Sequence, residues 1–334
     1  MSTSYDIQDT LQRIAVVRTD RLGDMVLTLP MCAAAQTAFP GAEIILITRS
    51  YVAPLLYRSP VIDRVIYADT PEEVSAAIRG TGIDMIFFPR PQLSEYVAAF
   101  RAGIPCRVGS GYRWYSFLLS HKQYDHRKTA EYHEAEYNTR LIERVLGRNV
   151  STQLVRPVLQ PESIEKVRHL LQQYGISDCT PIIIHPGSGG SAVDWPTEKF
   201  GEAARELQHR LSTPILLTGI PSESHLCDQV HKICPQAINL CGQLPLPDMM
   251  ALLAGASLLI ANSTGILHVA AALGTPVLGL YPQSPAMSAA RWGPYTDTAT
   301  VISPPVLTTV NDDMNMISVQ EVVIAAQTML DTYR

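Results

Sequence analysis

The stretch Ile182-Ile183-Ile184-His185-Pro186-Gly187-Ser188-Gly189-Gly190-Ser191 decides the fold of its half of the chain. A β-branched apolar run ends in a loop with three glycines, and a helical pattern begins at Pro196. A buried strand that leads into a Gly/Ser loop and then a helix can hold phosphate, because backbone N–H groups and the helix N-terminus attract its oxygens. The loop fits neither G-x-G-x-x-G nor Walker A. It therefore predicts a phosphate-bearing ligand without naming it, and a plain glycine-rich turn is the alternative.

Short apolar runs alternate with amphipathic stretches on both sides of that segment. The apolar runs predict strands at Arg13–Arg18, Glu43–Thr48, Arg64–Tyr67, Ile83–Phe88, Arg107–Gly109, Pro181–His185, Pro214–Thr218, Ile238–Leu240, Ser257–Ala261 and Pro276–Tyr281. The amphipathic stretches predict helices at Asp24–Ala38, Tyr51–Arg58, Pro71–Arg79, Gln92–Arg101, Thr197–Leu211, Ser222–Cys234, Pro247–Ala254, Gly265–Leu273 and Ser318–Tyr333. Such alternation is typical of parallel sheets covered by helices, so the predicted fold class is α/β.

The alternation occurs in two series, which suits two domains in a chain of 334 residues. Between the series, Ser120–Arg148 is charged and aromatic, and from about Thr129 it is predicted to be helical. Pro157 and Pro161 follow and mark the boundary. We expect an N-terminal domain over 1–158, a C-terminal domain over 159–317 and a closing helix over 318–334. Ligands in such sheets gather at the carboxyl ends of the strands, so a cleft between the domains is expected.

Bulk properties exclude several function classes. The net charge of −5 argues against a nucleic-acid partner. Six cysteines occur without C-x-x-C spacing, which favours reduced thiols and no metal site; Asp312-Asp313 lies away from any predicted strand end. Met1 to Gln12 lacks the apolar core of a signal peptide, and no run approaches a membrane span. A cytoplasmic protein is expected.

The first candidate site is the segment Arg18-Thr19-Asp20-Arg21-Leu22-Gly23-Asp24, between the first strand and the first helix. Asp24 at the helix start is either a helix cap or a general base facing the cleft. Arg18 and Arg21 are either solvated charges or ligands for anionic oxygens.

The second half contributes three further strand-end loops. Ser188, Gly189 and Gly190 belong to the loop quoted above. Thr218-Gly219 leads to Glu223, which is either a ribose ligand or a first-turn acid favoured by the helix dipole. Ser263-Thr264-Gly265 opens a helix of small residues that contains His268; these residues are candidates for a second phosphate site, or else caps and a structural histidine.

The segments together resemble glycosyltransferase family 9, the ADP-heptose:lipopolysaccharide heptosyltransferases and their relatives. The resemblance covers nearly the whole chain and depends on the order and spacing of the segments. They are Arg18–Asp24, Thr28-Leu29-Pro30, Phe39-Pro40-Gly41-Ala42, Ser59-Pro60-Val61-Ile62-Asp63, His133-Glu134 with Asn138, His185-Pro186-Gly187-Ser188, Trp195-Pro196, Asn262-Ser263-Thr264-Gly265 with His268, and Ala270-Ala271-Ala272-Leu273-Gly274. The resemblance implies a GT-B fold: two Rossmann-like domains face each other across a cleft, and the last helix crosses back to the first domain.

The resemblance also implies roles. Asp24 matches the catalytic base of an inverting, metal-independent sugar transfer that needs no cofactor, and the second-half loops bind a nucleoside-diphosphate sugar, with Glu223 near the nucleoside. Two positions depart from the heptosyltransferase pattern: Val193 replaces a Lys that meets the phosphates, and Ser263 replaces an Asp that contacts the sugar. ADP-heptose is therefore one donor candidate among several.

The expected function is a bacterial glycosyltransferase of lipopolysaccharide-core or related surface-glycan biosynthesis. The expected acceptor is a lipid-linked, phosphorylated glycan at the inner face of the cytoplasmic membrane. Candidates for its anionic groups are Arg18, Arg21, Arg49, Arg90 and Arg113. The basic patch from His121 to Lys128 either docks on anionic lipid or is a solvated connector. The rival functions are a nucleotide-sugar epimerase or hydrolase on the same fold, and a non-catalytic nucleotide-sugar-binding relative.

Overall fold

The computed structural model describes residues 11–177, 179–305 and 312–333. The chain forms two compact units. The first unit comprises the chain up to Arg127 together with Glu131–Val155, and the second comprises Lys128–Ala130 and the chain from Arg156 onward. Most of the segment Met1 to Gln12, interpreted above as lacking a signal peptide, lies outside the described residues.

The first unit contains a six-stranded parallel sheet in the order β3-β2-β1-β4-β5-β6. Its strands are β1 (Arg13–Arg18), β2 (Glu43–Thr48), β3 (Arg64–Tyr67), β4 (Met85–Phe88), β5 (Cys106–Ser110) and β6 (His121–Gln123). The central strands are almost wholly buried because helices cover both faces, which is why they appear in the sequence as unbroken apolar runs. Strand β6 was not predicted.

Helices of the first unit are α1 (Leu22–Val26), α2 (Leu29–Ala38), α3 (Pro71–Gly80), α4 (Leu93–Arg101) and α5 (Glu134–Leu146). The single helix predicted over Asp24–Ala38 is interrupted, because Pro30 near the start of α2 has no N–H for a continuous helix. The predicted helix Tyr51–Arg58 is a 3-10 helix over Ser50–Leu56 with Pro54 inside it. Helix α5 begins after the cap His133, later than the predicted start near Thr129.

The second unit repeats the arrangement with the strand order β12-β11-β10-β7-β8-β9, again all parallel. Its strands are β7 (Ile182–His185), β8 (Ile215–Leu217), β9 (Ile238–Asn239), β10 (Leu258–Asn262), β11 (Val277–Leu280) and β12 (Ala299–Ile302). Its helices are α6 (Pro161–Gln173), α7 (Thr197–Leu211), α8 (Ser224–Ile233), α9 (Leu246–Ala254), α10 (Gly265–Leu273), α11 (Ala289–Trp292) and α12 (Val319–Tyr333).

The last helix belongs to the second unit by its contacts. Helix α12 packs against α7, and its apolar face belongs to the core of the second unit. Val322, Val323 and Ala326 are completely buried there, so burial of this stripe ties the helix to the second unit. Among the described helices, none has both the length and the apolar character that crossing a bilayer requires.

Candidate active site

The first unit places its candidate residues where the order of its strands reverses. Strands β1 and β4 are neighbours, and the chain leaves them toward opposite sides of the sheet. Ligands of open α/β sheets bind beside the carboxyl ends of strands at such a point. Arg18 ends β1, Asp24 lies in the first turn of α1, and Arg90 follows β4. The three residues expected to serve chemistry or binding therefore share one edge of the sheet.

Arg18 is the centre of a buried charge cluster, with only 3% of its side chain exposed. Its Nε lies 2.6 Å from Asp20 Oδ1, one terminal nitrogen contacts Asp24 Oδ1, and the other lies 3.9 Å from Glu134 Oε1. Burial alone would lower the pKa of Arg18, but the three carboxylates raise it above its ordinary value. Arg18 is therefore a permanent cation that holds Asp24 in place.

Asp24 keeps 15% of its side chain exposed, so a ligand can reach its carboxylate. Burial raises the pKa of Asp24 above its ordinary value, and the attraction of Arg18 offsets only part of that effect. A carboxylate with a raised pKa takes up a proton more readily than one in water. The surrounding turn is held by hydrogen bonds: Thr28 Oγ1 donates to the Asp24 carbonyl (2.7 Å), and Asn138 Nδ2 donates to the Leu27 carbonyl (2.9 Å).

Two of the predicted acceptor arginines line a pocket of about 180 Å³ in the first unit. Arg49 and Arg90 face it together with Thr19 and Glu95. Burial raises the pKa of Glu95 to about 8, and Thr19 Oγ1 lies 3.4 Å from Glu95 Oε1. Because Glu95 is mostly protonated at neutral pH, the acid of the lining that opposes the two arginines is Asp69, whose carboxylate accepts from the Ser50 amide (2.9 Å).

The remaining predicted arginines lie elsewhere. Arg21 and Arg113 are exposed. Arg18 does not match its prediction as a ligand for acceptor anions, since its guanidinium is buried among carboxylates of the protein itself. The sequence could not show this, because Glu134 lies more than one hundred positions away in the chain.

In the second unit the strand order reverses between β10 and β7, and the candidate residues again follow the carboxyl ends of the strands. The loop after β7 contains the buried Ser188, whose carbonyl accepts from the Ser191 amide (3.1 Å). Gly189 and Gly190 follow with φ of +58° and +71°, a conformation that glycine adopts without strain. Both are exposed, so their backbone is accessible to a ligand.

Glu223, predicted to be either a ribose ligand or a first-turn acid, closes this loop from within. Its carboxylate accepts from the Gly189 amide (2.9 Å) and the Ile220 amide (3.1 Å). A Cβ atom at Gly187 would lie 2.2 Å from the Glu223 carboxyl carbon, so this close packing needs a glycine. Beside it, the Thr218 hydroxyl lies 3.0 Å from His185 Nδ1, and both side chains are buried; Gly219 continues the turn.

Asn262 joins the loops after β7 and β10, a role that was not assigned to it from the sequence. Its side chain is completely buried. The Oδ1 atom accepts from the Trp195 amide (2.9 Å), and the Nδ2 atom donates to the Pro186 carbonyl (2.7 Å). Trp195 in turn donates from its indole to the Ile317 carbonyl (3.1 Å). A polar residue at the end of an apolar strand was the available signal.

The segment Ser263–Gly265 leads directly into α10. Thr264 is the N-cap residue, but its side chain makes no capping hydrogen bond within the described part of the chain. The N-terminus of this nine-residue helix therefore retains its attraction for an anion. Ser263, Thr264 and His268 are buried. Val193, by contrast, is exposed on the loop before Trp195.

The described ranges contain no group of three His, Cys, Asp or Glu side chains that could hold a metal ion. What the two units offer is a buried charge cluster with a partly exposed carboxylate in one, and neutral hydroxyls, amides and a helix N-terminus in the other. The first arrangement suits proton transfer and the second suits an anionic leaving group.

The two units are Rossmann-like, each with a six-stranded parallel sheet whose candidate residues lie at the point where the strand order reverses, and sequence comparison identifies the family. A family model described as glycosyltransferase family 9 (heptosyltransferase) matches residues 79–313. The chain belongs to this family and is a glycosyltransferase, as the motifs predicted.

Individual relatives agree with this assignment. A Haemophilus influenzae protein named as a glycosyltransferase is 28% identical over 311 residues, covering 86% of this chain and 87% of its own. Lipopolysaccharide heptosyltransferase 2 of Escherichia coli K12 is 25% identical over 82% of this chain and 84% of its own.

Solved structures show the fold. A family 9 glycosyl transferase from Veillonella parvula superposes with a TM-score of 0.83 at 22% identity, covering 96% of this chain and 97% of that one. The E. coli ADP-heptose lps heptosyltransferase II gives 0.79 at 21% identity, covering 96% and 99%. The predicted GT-B fold class is confirmed.

Proposed function

We propose that this glycosyltransferase moves a heptose or related sugar from a nucleoside-diphosphate sugar to a hydroxyl of a lipopolysaccharide-core or related surface glycan. Several relatives are named lipopolysaccharide heptosyltransferases, and one related structure is named for ADP-heptose. These names support heptose and ADP as the first choices to test. Other donors must be tested as well, because Val193 and Ser263 depart from the heptosyltransferase pattern and lie in the loops that we assign to the donor.

The observation that carries the proposal is the state of Asp24. Its carboxylate is partly exposed, its pKa is raised by burial, and the buried Arg18 fixes its position. A sugar hydroxyl is a poor nucleophile until its proton is removed. A general base of raised pKa, held at the carboxyl end of β1, meets that need.

The proposed step is a single displacement. The acceptor O–H proton passes to the Asp24 carboxylate while the acceptor oxygen forms a bond to the anomeric carbon. The bond from that carbon to the diphosphate oxygen breaks, and the nucleoside diphosphate leaves with the electron pair. Because attack and departure occur on opposite sides of the carbon, the configuration is inverted. The anomeric carbon passes through an oxocarbenium-like state, as in glycoside hydrolysis.

The leaving diphosphate needs stabilisation, and the second unit supplies it without requiring a metal or cofactor in this proposal. We assign the diphosphate to the Gly190 amide, since the Gly189 amide already donates to Glu223, and to the N-terminus of α10 at Thr264 and Gly265. In this proposal the donor site also includes Ser188, Thr218, Gly219, Ser263 and His268, from the loops after β7, β8 and β10 and from α10, and Glu223 keeps the loop in shape. Fixed backbone dipoles stabilise developing charge without having to reorganise during the reaction.

The acceptor belongs to the first unit in this proposal. The pocket with Arg49 and Arg90 takes an anionic group of the glycan, such as a phosphate or carboxylate. Arg90 Nε lies 4.0 Å from Asp20 Oδ2, so the pocket adjoins the Arg18 cluster. An anion bound there would place a neighbouring hydroxyl near Asp24.

The decisive experiment is Asp24→Asn, tested for transfer of labelled heptose from ADP-heptose to purified core acceptor. The amide keeps the size of the side chain but cannot take the proton. We expect turnover to fall at least ~100-fold while donor affinity, measured by calorimetry, is unchanged. Normal turnover in this variant would contradict the assignment of Asp24.

Asp20→Asn is the matched control, because it removes a carboxylate from the same cluster. Asp20 also pairs with Arg18, so its loss disturbs the same cation. We expect a smaller loss of turnover than for Asp24→Asn. An equal loss in both variants would show that disturbance of Arg18, rather than loss of the base, explains the effect.

The donor is tested separately by thermal shift against a panel of nucleoside diphosphates and their sugars. A ligand at ~100 times its dissociation constant stabilises the folded chain by ~2.7 kcal/mol. We expect ADP and ADP-heptose to give the largest shifts. If another nucleotide stabilised the chain more strongly, its sugar derivative would become the proposed donor in place of ADP-heptose, and the proposed role of Asp24 would be unaffected.

A further inference from the structure

The edge of the first sheet carries an exposed aromatic surface that the proposed reaction does not use. We call it the aromatic edge and define it as Tyr112, Trp114, Phe117 and Tyr124. Trp114 is 76% exposed and Phe117 is 66% exposed, values far above those usual for large apolar side chains. The residues lie around β5 and β6, the outermost strands on that side of the sheet.

Contacts within the protein hold the rings of the aromatic edge in place. Its rings are paired: Tyr112 and Tyr124 have centroids 5.6 Å apart, and Trp114 and Phe117 have centroids 6.4 Å apart. The Tyr112 hydroxyl donates to the Tyr124 carbonyl at 3.0 Å, and the Gly111 amide donates to the Gln123 carbonyl at 2.8 Å. The exposed rings are therefore held in place before any partner arrives, which lowers the cost of binding.

The charge around these rings is positive. Arg113 is exposed between Tyr112 and Trp114, and Lys122 lies on β6; neither forms an ion pair within the described part of the chain. The nearby Asp125 is neutralised by Arg140, which donates two hydrogen bonds to it at 3.0 and 2.9 Å. The chain as a whole has a net charge of −5, so this surface contrasts with the rest of the molecule.

The basic patch predicted over His121–Lys128 is narrower in the structure. Burial lowers the pKa of His121, and its ring lies 3.0 Å from the Ser120 hydroxyl. Arg127 pairs with the buried Glu134 at 2.5 Å. Within the described part of the first unit, Lys122 is the lysine or arginine of the predicted patch that forms no ion pair. Arg113, which is exposed, lies outside the predicted range.

We propose that the aromatic edge docks on the surface of a bilayer that contains anionic phospholipid. Trp and Tyr have an apolar body and a polar tip, so they are favoured at the level of lipid headgroups. Arg113 and Lys122 attract the anionic headgroups. The inference extends the proposed function, because a lipid-linked acceptor presents its glycan at such a surface.

A second copy of the chain fits this surface less well. In a two-fold interface the same patch meets itself. Arg113 and Lys122 would then face the same cations of the other copy, and no acidic side chain of the patch is left to pair with them once Asp125 is bound to Arg140. An anionic bilayer supplies the opposite charge directly.

The test uses the full chain with vesicles and without donor or acceptor, so its failure would leave the proposed transfer untouched. Vesicles of equal parts phosphatidylglycerol and phosphatidylcholine are compared with phosphatidylcholine alone by co-sedimentation. We expect binding to the mixed vesicles that weakens with salt. Phosphatidylglycerol carrying brominated acyl chains is expected to quench tryptophan fluorescence, and Trp114→Ala is expected to remove that quenching, since Trp195 is buried and the half-buried Trp292 belongs to the second unit.

Substitutions separate the two contributions. Trp114→Ala with Phe117→Ala is expected to weaken binding at least ~10-fold, because less apolar surface enters the interface. Lys122→Glu is expected to weaken binding about fivefold or more. The matched controls are Tyr174→Ala and Lys166→Glu, an exposed aromatic residue and an exposed lysine of the second unit; both should bind like the wild type.

Three results would overturn the proposal. The wild type could fail to bind the mixed vesicles, or the Trp114/Phe117 double variant could bind as tightly as the wild type. Sedimentation velocity without lipid could also show a dimer that the double variant dissolves, in which case a second copy occupies the surface. Circular dichroism and thermal unfolding of each variant show that a loss of binding is not a loss of folding.

Discussion

The burial of Glu95 leads to a prediction about stability that does not depend on the proposed reaction. The residue lies in the first turn of α4, with 5% of its surface exposed, and burial raises its pKa from 4.5 to about 8. Arg90 and the Thr19 hydroxyl lower the pKa, but by less than burial raises it. In the unfolded chain the same carboxyl group is in water and has its ordinary pKa.

The sign of the effect on stability follows from proton uptake. Between about pH 4.5 and about pH 8 the folded state retains the Glu95 proton, whereas the unfolded state has released it. Stability therefore decreases as the pH rises through this window, by about 1.4 kcal/mol per pH unit at most. Over the whole window the loss approaches about 5 kcal/mol. Outside the window Glu95 contributes no further pH dependence.

The substitution Glu95→Gln removes the titration while keeping the size of the side chain. Urea unfolding of wild type and variant, measured from below pH 4.5 to above pH 8, gives the difference in unfolding free energy at each pH. Hydrogen exchange of amides in β1 and β4 restricts the readout to the first unit, since two units need not unfold together.

We expect the variant to become progressively more stable relative to wild type as the pH rises. Glu72→Gln, an exposed position on α3, is the control and should leave the pH dependence of the wild type unchanged. A difference between wild type and Glu95→Gln that is constant across the window would refute the argument from burial. A difference that grows toward low pH would refute it as well.

Three further substitutions test the site. Asn262→Ala leaves the Trp195 amide and the Pro186 carbonyl without partners, at ~1–3 kcal/mol each; urea unfolding should show this loss. Gly187→Ala forces Glu223 away from the Gly189 amide, so it should lower the free energy of unfolding by ~1–3 kcal/mol and weaken nucleotide binding in calorimetry. The control Gly41→Ala, with open space around it, should change neither quantity. Arg18→Gln leaves buried carboxylates without a cation and should lower the free energy of unfolding by ~3–5 kcal/mol. This loss of stability should be larger at pH 8 than at pH 5, because acid neutralises the carboxylates. An equal loss at both pH values would contradict the proposed charge interactions around Arg18.

The sequence predicts the sheets well because their strands are buried on both faces. Ile182–His185 and Leu258–Asn262 appear as continuous apolar runs that end at polar loops, so both their positions and their neighbouring sites could be recognised. Helix α6 was missed although Pro161 marks its start, because its buried residues are few: Ser163 and Val167. A weak apolar stripe between two prolines resembles a linker in the sequence.

The sequence predicted where the site residues lie in the fold, but not which residues they contact. Arg18, Glu223 and Asn262 lie where the strand-end argument places them, but their partners are Glu134, Gly189 and Trp195, each more than thirty positions away. Local propensity carries no information about such pairs, since they form only when separate strands align at one sheet edge. The raised pKa of Glu95 arises in the same way, from burial that the surrounding fold creates.

The two units use the same sheet geometry for opposite electrostatic purposes. In the first, Arg18 keeps several carboxylates together in a buried place, which leaves Asp24 ionisable and ready to take a proton. In the second, the charge of Glu223 is used by backbone amides of the protein, so the groups assigned to the ligand are neutral dipoles. A proton acceptor needs a raised pKa, whereas a departing diphosphate needs donors that cost little to desolvate. In the reaction proposed above, the charged cluster of the first unit activates the alcohol, and the neutral groups of the second unit stabilise the anion.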